Sequence, residues 1–179
     1  MKKLIIVLII ITVLVGCSMS NTPSGRVEEY LSKFNSVSDE VMIDLETKIN
    51  HEDLSSENKS LYKEALIRVY KNLKYEIKDE SVNGDKAEVK AVITVYDLHK
   101  ADTLSMNYMN DNVTEFYDSN GLFSNDLYNK YRIEQMIKTN ESIQYEVVFN
   151  LYKKEANWIL ESPDEDVLAK LNGLYNYDN

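Results

Sequence analysis

One cysteine, Cys17, stands in 179 residues, and that scarcity removes several chemistries at once. A disulfide framework needs pairs of cysteines, a structural zinc site needs several thiolate or imidazole ligands, and a thiol nucleophile needs a histidine partner in a folded site. Histidine is almost as scarce: His51 and His99 are far apart and suggest no shared metal. Five glycines form no Gly-rich phosphate loop, and no Gly-x-Ser-x-Gly elbow occurs. Basic residues are outnumbered, 20 against 30 acidic, for a net charge of −10. That balance argues against nucleic-acid partners, whose binding rests on neutralising phosphates. Acidic residues do not form a calcium loop either. Asp118 and Asn120 suit its first and third positions, but Gly121 comes two places early and Asn129 stands where a glutamate is required. No cofactor and no metal are expected.

A membrane-length apolar run is also missing. Leu4 to Val15 is apolar except for Thr12, and Lys2 and Lys3 precede it. A helix of that length measures roughly 18 Å, short of a ~30 Å hydrocarbon core. A basic start followed by such a run is the pattern of a signal peptide, expected here over residues 1–16. The stretch Leu14-Val15-Gly16-Cys17 resembles a bacterial lipobox. That resemblance implies acylation of the Cys17 sulfur and cleavage just before it; an unmodified thiol behind a secretory signal is the alternative. Two or more acyl chains anchor stably where one does so only marginally. Loss of Lys2 and Lys3 leaves 18 basic against 30 acidic side chains, net −12, so attachment would depend on lipid rather than on a basic patch. Residues 17–25, small, polar and broken by Pro23 and Gly25, are expected to be the lipidated cysteine and its tether, with a single domain over 26–179.

Within that domain, Val27, Tyr30, Leu31 and Phe34 share one helical face. Asp39–Asn50 repeats the pattern behind a capping Ser38, and a third helix is expected from about Ser56 to Leu73. Alternation then takes over. Tyr75 and Ile77 lead to Asn83-Gly84, a strong hairpin signal, and Ala87 to Val95 alternate on the return. The 101–123 segment is polar and ambiguous, and Ser124 caps a helix to Lys138. A second hairpin joins Ser142–Lys153 to Trp158-Ile159-Leu160. Ser162, Pro163 and Glu165 read as cap, first turn and capping-box glutamate of a last helix that Gly173 stops. The expected class is α+β, with helices packed on a curved antiparallel sheet.

Helices leading into long antiparallel strands resemble the cystatin-like or NTF2-like fold. More narrowly, LKYEIKDESVNGDKAEVKAVITVYDLHKA and YEVVFNLYKKEANWILESPDEDVLAKLNGLYNY resemble uncharacterised lipoproteins of Gram-positive bacteria. The resemblance implies a location on the outer face of the cell membrane, and carries no catalytic motif with it.

Thirteen tyrosines are the strongest compositional bias. Tyr75, Tyr96, Tyr145, Phe149 and Trp158 fall on expected strands and, with His99, are the candidates for lining a pocket. The expectation is a non-enzymatic binding module for an envelope protein or a small apolar ligand. A rival is a small hydrolase or isomerase using Asp97 and His99, which end the long strand with both side chains on one face. A third is a structural envelope protein.

Overall fold

The computed structural model describes residues 21–178. The span expected to be a signal peptide, and Cys17 with its expected lipidation, lie outside the described residues. Among those described, six α-helices pack with one four-stranded antiparallel sheet, the α+β class expected.

The elements run α1 (Pro23–Ser36), α2 (Asp39–Asn50), α3 (Ser56–Lys71), β1 (Lys74–Asn83), β2 (Lys86–Tyr96), α4 (Leu98–Asp111), a 3-10 turn (Val113–Phe116), α5 (Asn125–Lys138), β3 (Ser142–Lys154), β4 (Asn157–Leu160) and α6 (Glu165–Leu171). Strand order is β1-β2-β3-β4. β2 and β3 pair along their whole length, from Lys86↔Tyr152 to Tyr96↔Ser142, although α4 and α5 lie between them in sequence. Both hairpin turns therefore sit at one end of the sheet, and the chain enters and leaves α4 and α5 at the other. In β1 the register shifts between Ile77 and Asp79, leaving Lys78 as a bulge. A bulge bends its strand and sharpens the local twist, which curves the sheet.

Strand alternation sorts the two faces. Ala87, Val89, Ala91, Ile93 and Val95 of β2, with Tyr145, Val147, Phe149 and Leu151 of β3, are buried on the inner face. Val27, Leu31 and Phe34 of α1 pack into this core. Fully burying a side chain of this kind contributes roughly 1.5–3 kcal/mol. The helices α2, α4 and α5 build no extended contact with any strand. α2 and α5 pack on α3 and α4 packs on α5, a lobe at the end of the sheet opposite the hairpin turns. Asn58, 1 % exposed, holds α3 and α5 together: its Nδ2 donates to Asp126 O (2.9 Å) and Oδ1 (2.7 Å).

Three local expectations need correction. The first helix begins at Pro23, inside the span read as tether. Thr22 Oγ1 accepts from the Gly25 N–H at 3.1 Å, and Pro23 takes a first-turn position where no N–H is needed. The last helix is capped by Asp164, not Ser162. The Asp164 carboxylate accepts from the Val167 N–H at 2.8 Å, which puts Glu165 and Asp166 in the first turn against the positive end of the helix dipole. Finally, Asp97 does not end a strand. It caps α4, accepting from the Lys100 N–H at 2.9 Å, so the polar 101–123 segment is helical up to Asp111.

Candidate functional site

Four segments distant in sequence meet beside the sheet. Tyr30 and Phe34 of α1, Val41 and Leu45 of α2, Tyr70 of α3 and Leu168 of α6 wall a cleft of about 330 Å³. The helical face that packs α1 on the sheet also supplies Tyr30 and Phe34, one turn apart. Their rings meet edge to face at 5.2 Å, and Phe34 meets Tyr70 likewise at 5.1 Å. Tyr30 also touches Phe149 on β3, at 5.9 Å between ring centres. The aromatic wall of the cleft is thus continuous with the core of the sheet.

Its polar groups are the Tyr30 and Tyr70 hydroxyls, Asn172 and the charged Lys33, Glu40, Asp44 and Lys48. Tyr70 Oη donates to Asn172 Oδ1 at 2.6 Å, a buried bond that ties α3 to the end of α6. Burial raises the Tyr70 hydroxyl well above its ordinary range. The Tyr30 hydroxyl is pushed up to about 12 by burial first, then by the carboxylates of Asp44 and Glu40. It stays neutral at physiological pH and makes no hydrogen bond among the described residues, so it can donate to or accept from a bound molecule. Lys33 and Glu40 pair at 2.7 Å at the rim, beside Asp44 and Lys48.

The residues singled out from the sequence are not gathered around that cleft. Phe149 is buried behind it through Tyr30. Trp158 is buried on β4 and borders a shallow groove with Arg26 and Glu29. Tyr75 shares a cross-strand row with Ile93 and Tyr145. Strand alternation puts Tyr96 on the opposite face from Tyr145, with the Arg68 guanidinium 3.8 Å from its ring centre.

His99, Tyr145 and Asp97 do come to one corner, where the C-terminal tail crosses the start of α4. They do not form the Asp97–His99 pair of the enzymatic alternative. Asp97, 6 % exposed, accepts from Tyr177 Oη (2.9 Å) as well as from Lys100. His99 instead contacts Asp178, Nε2 to Oδ2 at 3.0 Å, with its ring edge-on to Tyr177 at 4.9 Å. The Tyr177 hydroxyl is pushed up to about 12 by burial, then by its bond to Asp97. Tyr145 Oη is buried with no partner among the described residues, and burial followed by the Asp97 charge raises its pKa. The polar groups of this corner chiefly satisfy a helix cap and a docked tail.

The cleft escaped sequence reasoning because Tyr30, Phe34 and Tyr70 fall on helical core positions, where aromatic rings need no other explanation. The sequence carries no signal for it, because whether the Tyr30 hydroxyl finds a partner is decided by tertiary packing.

The fold and the cleft define a class, an α+β domain with an aromatic-walled cavity between helices. No family model matches the chain, and no curated protein is similar to it. Among solved structures, a "putative lipoprotein (ycdA)" from Bacillus subtilis is similar over 84 % of this chain and 47 % of its own, at 16 % identity and a TM-score of 0.41. The chain thus spans about half the length of that structure, and a likeness at this level carries no conclusion about function.

Proposed function

We propose that the protein is an extracytoplasmic lipoprotein, anchored to the outer face of a bacterial cell membrane through Cys17, whose domain holds a small apolar ligand in the cleft between α1, α2, α3 and α6. The observation that carries the binding half is the Tyr30 hydroxyl, without a hydrogen-bond partner among the described residues, set beside Phe34, Val41, Leu45 and Leu168. Apolar pockets with a few placed polar handles are the usual form of a small-molecule site. The anchoring half is supported by the Lys2-Lys3, apolar run and Leu-Val-Gly-Cys order. Binding rather than turnover is favoured because the Asp97 carboxylate serves a helix cap and Tyr177, and bonds His99 nowhere.

Native mass spectrometry of the protein extracted from membranes reads both halves together. The expected species is a chain starting at residue 17, carrying acyl groups and a non-covalent small-molecule adduct. Cys17→Ala should remove the acyl mass. An unacylated chain overturns the anchor, and an acylated chain that never carries an adduct, even after incubation with apolar aromatic probes, overturns the cleft as a binding site.

A further inference from the structure

We propose that the sheet end bearing both hairpin turns is a docking surface for the lipid headgroup layer, and that the α4–α5 pole points away from the membrane. This orientation rests on the anchored reading of Cys17.

The first argument is covalent. Asn21 is fixed to the second hairpin: its Nδ2 donates to Ala156 O (2.6 Å), and its Oδ1 accepts from the Trp158 N–H (3.2 Å). Three residues on, the Ser24 N–H donates to Glu80 Oε2 at 2.9 Å, fixing the start of α1 to β1 near the first hairpin. The two turns are themselves joined, because the Lys153 N–H donates to Asp85 O at 2.8 Å. The chain therefore leaves the fold at this end. Four residue steps separate Asn21 from Cys17, a reach of at most ~14 Å. β2 alone, at 11 residues, spans roughly 36 Å from the turns to the far end of the sheet. An anchor at Cys17 holds the hairpin turns close to the bilayer.

Tether length by itself allows the molecule to lie on its side, and charge decides against that. The turns themselves expose Lys86, Lys153 and Lys154 against Asp85 and Glu155, a net charge of +1, with exposed Glu80 and Glu88 a few residues further along β1 and β2. The α4–α5 segment, residues 98–138, carries Asp102, Asp111, Glu115, Asp118, Asp126 and Glu134 against Lys100, Lys130, Arg132 and Lys138, a net charge of −2, with Asp102 paired to Arg132 at 3.0 Å. It belongs to the lobe at the opposite end of the sheet. Lying flat brings this net negative segment towards an anionic leaflet, whereas standing on the turns presents Lys86, Lys153 and Lys154 to it. Exposed Val82 and Tyr152 lie beside the turns and suit the headgroup boundary. Exposed Tyr117, Leu122 and Phe123 are carried at the distal pole.

The test uses the lipidated protein in vesicles of phosphatidylcholine and phosphatidylglycerol that contain a nitroxide-headgroup lipid. Acylation occupies the Cys17 sulfur, so Asn83→Cys and Leu122→Cys each supply one free thiol for a bimane label at an exposed position. Flotation with the vesicles is measured first. Floating protein whose label is quenched several-fold more at position 83 than at 122 supports the orientation. Floating protein with equal quenching, or stronger quenching at 122, overturns it while leaving the anchor intact. Protein that does not float overturns the anchored reading and the orientation with it.

Discussion

Gly173→Ala offers a sharp test of how the far end of the sheet is assembled. Gly173 follows α6 at φ +68°, and a Cβ there would stand 2.1 Å from the backbone oxygen of Tyr96. The oxygen is not free to withdraw. The next residue's N–H bonds Glu141 O at 3.0 Å, and the His99 N–H bonds Gly173 O at 2.9 Å. Left-handed backbone costs an ordinary L-residue roughly 1–2 kcal/mol. Overpacking against fixed atoms adds roughly 1–3 kcal/mol. The expected loss of about 2–5 kcal/mol would be a large part of a domain's total stability. It corresponds to a drop in Tm of roughly 5–15 °C for a domain of this size. Gly84→Ala is the internal control, since Gly84 has φ +62° but nothing within 4 Å of the added carbon. It should cost only the backbone share, about 1–2 kcal/mol. Urea unfolding followed by circular dichroism measures both, with unchanged slopes showing that only stability has moved. Equal losses in the two variants would refute the close approach of α6 to the β2–α4 corner.

Two further outcomes follow from buried polar groups. Asp97→Ala removes the α4 cap and orphans the Tyr177 hydroxyl, at a cost of about 1–2 kcal/mol. It should also release residues 174–178 to carboxypeptidase digestion, and a tail that stays protected contradicts the docking described. Tyr30 and Tyr62 are each pushed up to about 12 by burial, above the ~10 of a free phenol. A folded-state value above the unfolded one favours folding fully below pH ~10, and that contribution is lost as pH rises through the folded value. Phenolate absorbance should therefore lag for these tyrosines and appear together with alkaline unfolding. Simultaneous ionisation of every tyrosine near pH 10 with the fold intact contradicts it.

What was legible in the sequence is what short-range physics determines. Alternation from Ala87 to Val95, the Asn83-Gly84 turn and the caps at Ser38 and Ser124 all describe neighbours along the chain, and each corresponds to an observed element. Two ambiguities arose where one residue suits two roles. Asp97 can end a strand or cap a helix, and the buried Leu98, Ala101 and Ser105 below it settle the matter in favour of a helix. Ser162 and Asp164 are both capping residues two positions apart, and only the structure shows that Asp164 receives the Val167 N–H. The bulge at Lys78 has no glycine to mark it. The cleft was not legible because residues 30–34, 41–48, 70 and 168–172 meet only through tertiary packing. Each of its rings reads separately as ordinary core. The strand aromatics drew attention as cavity candidates, yet Phe149 and Tyr145 mainly fill the inner face of the sheet.

The central claim, an apolar ligand held between the helices, is tested most directly by titrating the protein with N-phenyl-1-naphthylamine, a neutral aromatic probe that fluoresces on leaving water. Leu168→Trp is the paired variant: Leu168 is 38 % exposed at the rim, so a larger ring has room to lie across the mouth while circular dichroism confirms the fold. The expected result is one saturable site in the unaltered protein and its loss in Leu168→Trp. Probe binding that is absent from the unaltered protein, or undiminished in the folded variant, contradicts the account.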